Sequence, residues 1–258
     1  MSSSIFDLQG KTAVVVGGTT GIGHALALGL ADAGADVIAS SRRSEQVEQT
    51  AAQIEAKGRK TLRHTSDVHD RTTLESLRDA VLGAFGKVDI LINCAGITKR
   101  APTIDFPEAD WNQIIDTNLN GTLRGCQVFG KPMLSRGYGR IINIASLSTY
   151  VGLFEVAAYS ASKAAVGALT KVLAVEWSRQ GVLVNAIAPG VFRTDLNANL
   201  LDSTERGREF KLRTPIGRFG KTEELVGAAV FLASDAASYV SGEILVVDGG
   251  FLASGVNQ

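Results

Sequence analysis

The chain has 258 residues, of which 45% are hydrophobic and 20% charged, and its 26 basic residues balance 26 acidic ones. This composition excludes an intrinsically disordered chain, and the lack of net positive charge disfavours a nucleic-acid partner. No Pro-rich, Ser-rich or charged linker divides the sequence, so we predict a single domain over residues 1–258.

The cysteines and the N-terminal segment indicate the cellular compartment in which the protein works. Cys94 and Cys126 are too few for a disulfide scaffold, and each lies in an apolar stretch that suits a free thiol. The first eleven residues show no charged leader before an apolar run, and no segment approaches the roughly 18 apolar residues of a membrane span. We therefore predict a cytoplasmic protein with no membrane partner.

Short apolar runs alternate with longer amphipathic segments along the chain. The runs are rich in β-branched residues and predict buried parallel strands at 12–16, 37–39, 88–92, 141–145, 182–188 and 244–247, with a weaker candidate at 60–65. The amphipathic segments predict crossover helices at 23–33, 44–57, 72–85, 158–178 and 222–233. This alternation predicts an α/β fold, a single-domain Rossmann-type doubly wound parallel sheet flanked by helices on both faces.

Ligands of such a sheet bind beyond the carboxyl ends of the strands. The residues that follow the predicted strands there are rich in Gly, Asn, Ser and Thr, at 17–23, 40–43, 67–68, 93–96, 146–148 and 189–194. The first of these segments is a glycine-rich turn before a helix, where unpaired amides favour the pyrophosphate of a dinucleotide. A tight connection without a ligand is the alternative interpretation of that turn.

Tyr159 and Lys163 are four residues apart on a predicted helix, so their side chains emerge on one face. The ordinary pKa of tyrosine is near 10, and a neighbouring cation favours the phenolate and brings the group closer to neutral pH. Ser146 follows the predicted strand at 141–145 and can hold a substrate oxygen against Tyr159. The three residues predict a proton-transfer site.

These residues stand in the order and spacing of a known family. The glycine turn at 17–23, Asn-Cys-Ala-Gly at 93–96, Ser146, Tyr-Ser-Ala-Ser-Lys at 159–163 and Pro-Gly at 189–190 resemble the short-chain dehydrogenase/reductase family over essentially the whole chain. Cys94 departs from the usual Asn, and Val16 from the usual Thr. The resemblance implies hydride transfer between a nicotinamide cofactor and a carbonyl or secondary alcohol of a small molecule. It assigns the catalytic roles to Asn118, Ser146, Tyr159 and Lys163, although Asn120 could be confused with Asn118.

The resemblance and the strand ends together define the cofactor-binding candidates. They are Gly17, Thr19, Thr20, Gly21, Ile22, Gly23, Ser41, Arg42, Arg43, Asp67, Val68, Asn93, Ala95, Gly96, Tyr159, Lys163, Pro189, Gly190, Val191 and Thr194. Enzymes that use NAD usually place an acidic residue after the second strand, and here the position is Ser41, followed by Arg42 and Arg43. We therefore predict a preference for NADP(H), with NAD(H) possible, and no metal, because the three histidines show no ligand spacing.

The substrate is less well defined. The stretches 95–102 and 213–220 look like the gluconate 5-dehydrogenase and 2-deoxygluconate 3-dehydrogenase branch of the family, which suggests a keto sugar acid. Candidate substrate residues are Arg100, Ser146 and Ser148, with Lys99 as a substitute for Arg100 and a lid at 191–215. A 3-oxoacyl or general ketone reductase, and a dinucleotide sensor without catalysis, are the alternatives.

The resemblance also implies a homotetramer that pairs through its long helices. Ala164, Ala165, Ala168 and Ala174 would give one of these helices small residues for close packing, while burial within a single subunit is the alternative.

Overall fold

Six parallel strands form one sheet in the computed structural model, which describes residues 4–194 and 197–257. The strands are β1 (Thr12–Val16), β2 (Asp36–Ser40), β3 (Ile90–Asn93), β4 (Gly139–Ile144), β5 (Val182–Pro189) and β6 (Ile244–Val247). Their order across the sheet is β2-β1-β3-β4-β5-β6, and every neighbouring pair is parallel. The predicted doubly wound sheet is confirmed.

Nine α-helices lie within the described residues. They are α1 (Gly21–Asp32), α2 (Ser44–Ala56), α3 (Arg71–Phe85), α4 (Glu108–Ile115), α5 (Gly121–Arg136), α6 (Ala157–Trp177), α7 (Ala198–Leu201), α8 (Glu205–Arg213) and α9 (Val226–Ala233). A π-helical turn over Asp116–Asn120 joins α4 to α5, and a 3₁₀ turn over Thr222–Leu225 leads into α9. The predicted helices are present, whereas α4, α5, α7 and α8 were not predicted.

The predicted strand at 60–65 is wrong. This segment runs beside β2, where the Val37 amide donates to the Lys60 carbonyl and the Ser66 amide donates to the Ser41 carbonyl. Between these two bonds, the Ser40 hydroxyl donates to the carbonyl of His64. The Ser40 side chain thus satisfies the His64 carbonyl, which would otherwise accept a backbone hydrogen bond in a β-ladder with β2. The segment therefore stays irregular.

Both faces of the sheet are buried: successive residues of a strand point to opposite sides, and helices pack on each side. Val15 packs with Leu26 of α1 in one core, and Val14 packs with Leu77 of α3 and Phe129 of α5 in the other. Each fully buried side chain of this size stabilises the fold by about 1.5–3 kcal/mol. The two cores hold the strands so that their carboxyl ends open onto one edge.

The segment after β5 contains α7 and α8, which lie within residues 191–215, the segment predicted to act as a lid. Residues 195 and 196 of that lid lie outside the described residues. Arg193 forms a bidentate ion pair with Asp202, which joins the residues directly after β5 to the end of α7. None of the helices in the described part of the chain has the length and apolarity needed to cross a bilayer.

Candidate active site

The loops after β1, β3 and β5 meet at one edge of the sheet. A Cβ atom at Gly17 would lie 2.5 Å from the backbone nitrogen of Ala95, so only glycine permits this approach. A Cβ atom at Gly21, where φ is +50°, would lie 3.4 Å from the Thr194 methyl group. Cofactor-binding candidates from three separate loops therefore line one cleft.

The glycine turn fits a pyrophosphate. A Cβ atom at Gly23 would lie 2.0 Å from the Gly17 carbonyl oxygen, so the turn is as tight as the sequence predicts. Thr20 stands at the N-cap of α1 in extended conformation, and within the described residues its side chain makes no capping bond. The first amides of α1 are therefore available to an anion.

The end of β2 carries the residues that bear on cofactor choice. Ser41 accepts a hydrogen bond of 2.8 Å from the Thr19 hydroxyl, which ties this strand end to the glycine turn. Arg42 and Arg43 are exposed, and their side chains make no hydrogen bond or ion pair within residues 4–194 and 197–257. Arg42 and Arg43 thus directly follow the residue that contacts the turn, and positions 41–43 contain no acidic side chain.

Tyr159, Ser146 and Lys163 come together as predicted. The Ser146 hydroxyl acts on the Tyr159 phenol and opposes the rise in its pKa, and the Ser146 oxygen accepts a hydrogen bond of 3.2 Å from the Ser148 amide. The Lys163 ammonium lies 5.8 Å from the centre of the Tyr159 ring and donates a 2.7 Å hydrogen bond to the Ile144 carbonyl. One turn of α6 and the end of β4 therefore place a proton donor, a hydroxyl and a cation in one site.

The acidities of Tyr159 and Lys163 are set mainly by burial. Burial raises the pKa of Tyr159 above its ordinary value, although the hydrogen bond with Ser146 opposes this effect. Burial lowers the pKa of Lys163 to about 8. The pKa of Tyr159 in the protein alone is therefore raised, whereas the sequence predicted that Lys163 would lower it. Desolvation of the phenolate outweighs the opposing effect of Ser146.

Asn118 faces the site, and Asn120 does not. The Asn118 side chain accepts from the Ile97 amide at 2.8 Å and donates to the Ile97 carbonyl and the Ser162 hydroxyl, both at 3.0 Å. Asn120 instead donates to Asp116 within the same π-helical turn. A Cβ atom at Gly96 would lie 3.4 Å from Asn118 and 3.6 Å from Lys163, so these groups share the cleft.

The substrate candidates differ in their surroundings. The hydroxyl oxygen of Ser148 is buried and has no hydrogen-bond partner among the described residues, as expected for a group that awaits a ligand. Arg100 forms an ion pair of 2.7 Å with Glu155, and its guanidinium lies 5.9 Å from the centre of the Phe154 ring. Lys99, the substitute, pairs with Asp110.

Three contributors to the site were missed by the sequence analysis. The Ile144 carbonyl anchors Lys163, Ser162 anchors Asn118, and Glu155 pairs with Arg100. A backbone carbonyl has no signal in a sequence. Ser162 had one, because it lies three residues after Tyr159 on the same helix.

Replacing Lys163 with methionine is expected to stabilise the protein at pH 7, even though we expect it to abolish catalysis. Because the pKa is about 8 in the folded protein, against 10.5 for the unperturbed group, the unfolded chain binds more protons between these values. Burying the ammonium below pH 8 therefore costs about 3 kcal/mol, offset by about 1 kcal/mol for the bond to Ile144. The advantage of the variant should shrink as the pH rises towards 10.

Urea unfolding of wild type and Lys163→Met at pH 7 and pH 10 measures this difference. Lys171→Met is the matched control, because Lys171 is exposed on the same helix. A variant less stable than wild type at pH 7 would show that the hydrogen bond to Ile144 outweighs the burial of charge.

Comparisons with known proteins identify the family of the chain. The family model described as Enoyl-(Acyl carrier protein) reductase matches residues 16–252. The chain is 45% identical to the 2-dehydro-3-deoxy-D-gluconate 5-dehydrogenase of Bacillus subtilis (strain 168), with 96% of each chain covered. It is 41% identical to the gluconate 5-dehydrogenase of Gluconobacter oxydans (strain 621H), with 97% of this chain and 98% of that one covered.

A solved structure gives the same result. The gluconate 5-dehydrogenase from Burkholderia cenocepacia J2315, in complex with NADP and tartrate, matches with a TM-score of 0.93 at 38% identity, covering 96% of this chain and 98% of that one. The family model and the relatives thus cover almost the whole chain. The chain therefore belongs to the short-chain dehydrogenase/reductase family of NAD(P)-dependent oxidoreductases.

Proposed function

We propose that this oxidoreductase prefers NADP(H) and interconverts a keto sugar acid and its secondary alcohol. The observation that carries the proposal is the meeting of Tyr159, Ser146 and Lys163 at a glycine-lined edge of the sheet. The names of the relatives support the substrate class, since two of them are gluconate or deoxygluconate dehydrogenases. The solved relative with bound NADP supports the cofactor, together with Arg42 and Arg43.

Proton transfer falls to Tyr159. A bound nicotinamide supplies the hydride for reduction or accepts it in oxidation. Because the Ser146 oxygen accepts the Ser148 amide, its own proton can be donated to a substrate oxygen placed beside Tyr159. Burial raises the pKa of Tyr159, so the phenol is held in its protonated form, which is the form that carbonyl reduction consumes.

Arg100 is the proposed contact for the substrate carboxylate. Its loop follows Gly96, which lies against Asn118 and Lys163, and a guanidinium can bind a carboxylate through two parallel hydrogen bonds. Glu155 already pairs with this guanidinium, so the substrate would share Arg100 with Glu155 or displace it.

Arg100→Ala is expected to raise KM for a keto sugar acid about ten- to a hundredfold, since a charged hydrogen bond contributes about 1.5–3 kcal/mol. Neutral ketones should lose much less. Steady-state kinetics on 5-ketogluconate and on a cyclic ketone test this, with Arg179→Ala as control, because exposed Arg179 follows α6 at the end remote from Tyr159. Equal losses on both substrates would mean that Arg100 only supports its loop.

A substrate panel tests the proposed activity as a whole. Purified protein is mixed with NADPH and with keto sugar acids, β-ketoesters or cyclic ketones, and cofactor oxidation is followed by absorbance. We expect the keto sugar acids to give the highest kcat/KM. A preference for β-ketoesters would instead favour a 3-oxoacyl or general ketone reductase.

The segment at 191–215 is proposed as the lid of this single domain. Arg206 of α8 donates a 3.2 Å hydrogen bond to the Phe154 carbonyl, which joins the lid to the segment before α6. Limited proteolysis with and without NADP and substrate is the check, because a lid that closes on ligands should become protected. Equal cleavage in both conditions would contradict it.

The homotetramer is proposed from the exposed side of α6. Ala164, Ala168, Val172 and Val175 form an exposed, mostly apolar stripe, and Val175 is 82% exposed. Ala174 does not belong to this stripe, because it is buried in the core of its own subunit. Light scattering at micromolar concentration should give about four times the 27.1 kDa of one chain. A stable monomer would contradict the proposal.

A reducing compartment such as the cytoplasm is also proposed. Both cysteines are free, and burial raises the pKa of Cys94 to about 11 and that of Cys126 to about 12. Thiols in this state are unreactive, which suits a protein that is not built around disulfides. Fractionation of the cells that produce it is the direct check.

A further inference from the structure

A network of charged side chains holds the turn at Asp67, Val68 and His69 against the junction of α4 and α5. Arg124 of α5 donates through Nη1 to the Val68 carbonyl at 2.9 Å. A Cβ atom at Gly121 would lie 2.8 Å from the Val68 Cβ, so the turn packs directly on the start of α5. The first two residues of this turn, Asp67 and Val68, are cofactor-binding candidates, and the family resemblance implies that they contact the adenine ring.

Asp116 is the centre of the network. Its Oδ1 accepts from Arg124 Nη2 at 2.7 Å and from Asn120 Nδ2 at 3.0 Å, and its Oδ2 accepts from His69 Nδ1 at 2.7 Å. Burial opposes ionisation of this carboxyl, yet the bonds from Arg124, Asn120 and His69 lower its pKa to about 2. The Asp116 carboxylate therefore binds two groups that fix the turn. One is Arg124, which contacts the Val68 carbonyl, and the other is His69, which is the third residue of the turn.

The other side of the His69 ring is also fixed. Its Nε2 lies 3.0 Å from the hydroxyl oxygen of Thr117, which is also 2.8 Å from the Gln113 carbonyl oxygen. Both ring nitrogens therefore have a hydrogen-bond partner, Asp116 at Nδ1 and Thr117 at Nε2. This arrangement immobilises the third residue of the turn on the helical junction.

We propose that Asp116 is a positioning residue for the adenine half of the cofactor, acting through His69 and Arg124 on the turn at 67–69. This rests on the proposed function, since it needs the adenine ring to bind at Asp67 and Val68. Asp116 also begins the π-helical turn that carries Asn118. Its effect on the adenine half must therefore be separated from any effect on the catalytic half.

Adenosine 2′,5′-bisphosphate is the probe, because it contains the adenine and the 2′-phosphate but no nicotinamide. Its Kd is measured by calorimetry for wild type, Asp116→Ala and Asp116→Asn, together with kcat at saturating NADPH. We expect the alanine variant to raise Kd about tenfold, because the turn must then be ordered by the ligand, while kcat does not fall. The asparagine variant should raise Kd about threefold, since its amide oxygen still accepts from Arg124.

Asp79→Ala is the matched control. Asp79 also forms an ion pair of 2.8 Å with an arginine, but on the exposed side of α3. We expect its Kd to equal that of wild type. Light scattering of all variants is the check that a change in Kd does not come from a change of oligomer.

Each alternative outcome has a definite meaning. An unchanged Kd in folded Asp116→Ala, or a fall in kcat without a change in Kd, overturns the proposal, and the second result would place the effect at Asn118. If Asp116→Ala does not fold, an unchanged Kd in Asp116→Asn overturns it. Wild type that binds neither adenosine 2′,5′-bisphosphate nor NADPH would instead contradict the proposed function.

Discussion

Tyr159→Phe is expected to lower kcat by about 10²–10⁴, the range typical of a lost proton-transfer group. The substitution removes one oxygen and leaves the ring in place beside Lys163. The Kd for NADPH should change little, because the loss falls on the transition state. Single-turnover and steady-state kinetics with NADPH and the best substrate of the panel measure the effect.

The control for Tyr159→Phe is Tyr239→Phe. Tyr239 is fully exposed, so the same loss of a hydroxyl group there should leave kcat unchanged. Near-normal turnover in folded Tyr159→Phe would exclude Tyr159 as the proton donor and would undermine the mechanism proposed here.

Arg42→Ala is expected to lower kcat/KM with NADPH by about ten- to a hundredfold, since a charged hydrogen bond to the 2′-phosphate contributes about 1.5–3 kcal/mol. The value with NADH should stay within about twofold, because the 2′-hydroxyl carries no charge for Arg42 to bind. Arg42 is exposed and makes no side-chain bond in the described chain, so its loss removes no internal contact. Kinetics with both cofactors measure the switch.

Arg43→Ala serves as the comparison, because Arg43 is equally exposed one residue further on, at the N-cap of α2. We expect a smaller loss with NADPH than for Arg42→Ala. Equal efficiency of wild type with NADPH and NADH, or no loss in Arg42→Ala, would contradict the predicted cofactor preference.

The sequence analysis did not predict α4, α5, α7 and α8, and for α5 the structure shows the physical reason. α5 contains Gly125, Gly130 and Pro132, which are poor helix formers and cost about 1 kcal/mol each for glycine and more for proline. Tertiary packing requires the glycines, since a Cβ atom would lie 2.2 Å from Asn93 at Gly125 and 2.9 Å from the Trp177 ring at Gly130. The segment therefore has a low helical propensity because close packing needs its glycines, and a sequence pattern does not reveal those tertiary contacts.

The strands, the glycine turn and the spacing of Tyr159 and Lys163 follow from local patterns. Runs of β-branched residues identify strands buried on both faces, and a separation of four residues puts two side chains on one side of a helix whatever surrounds it. These patterns, with the order of the motifs, were sufficient for the fold and the family.

Only the tertiary structure decided which distant residues meet and what burial does to them. Arg100 pairs with Glu155, and His69 pairs with Asp116, although the members of each pair are distant in sequence. Likewise, the shifts in pKa at Tyr159 and Lys163 come first from burial. Ion pairs and desolvation depend on the paths of loops between elements, and a one-dimensional pattern does not contain those paths.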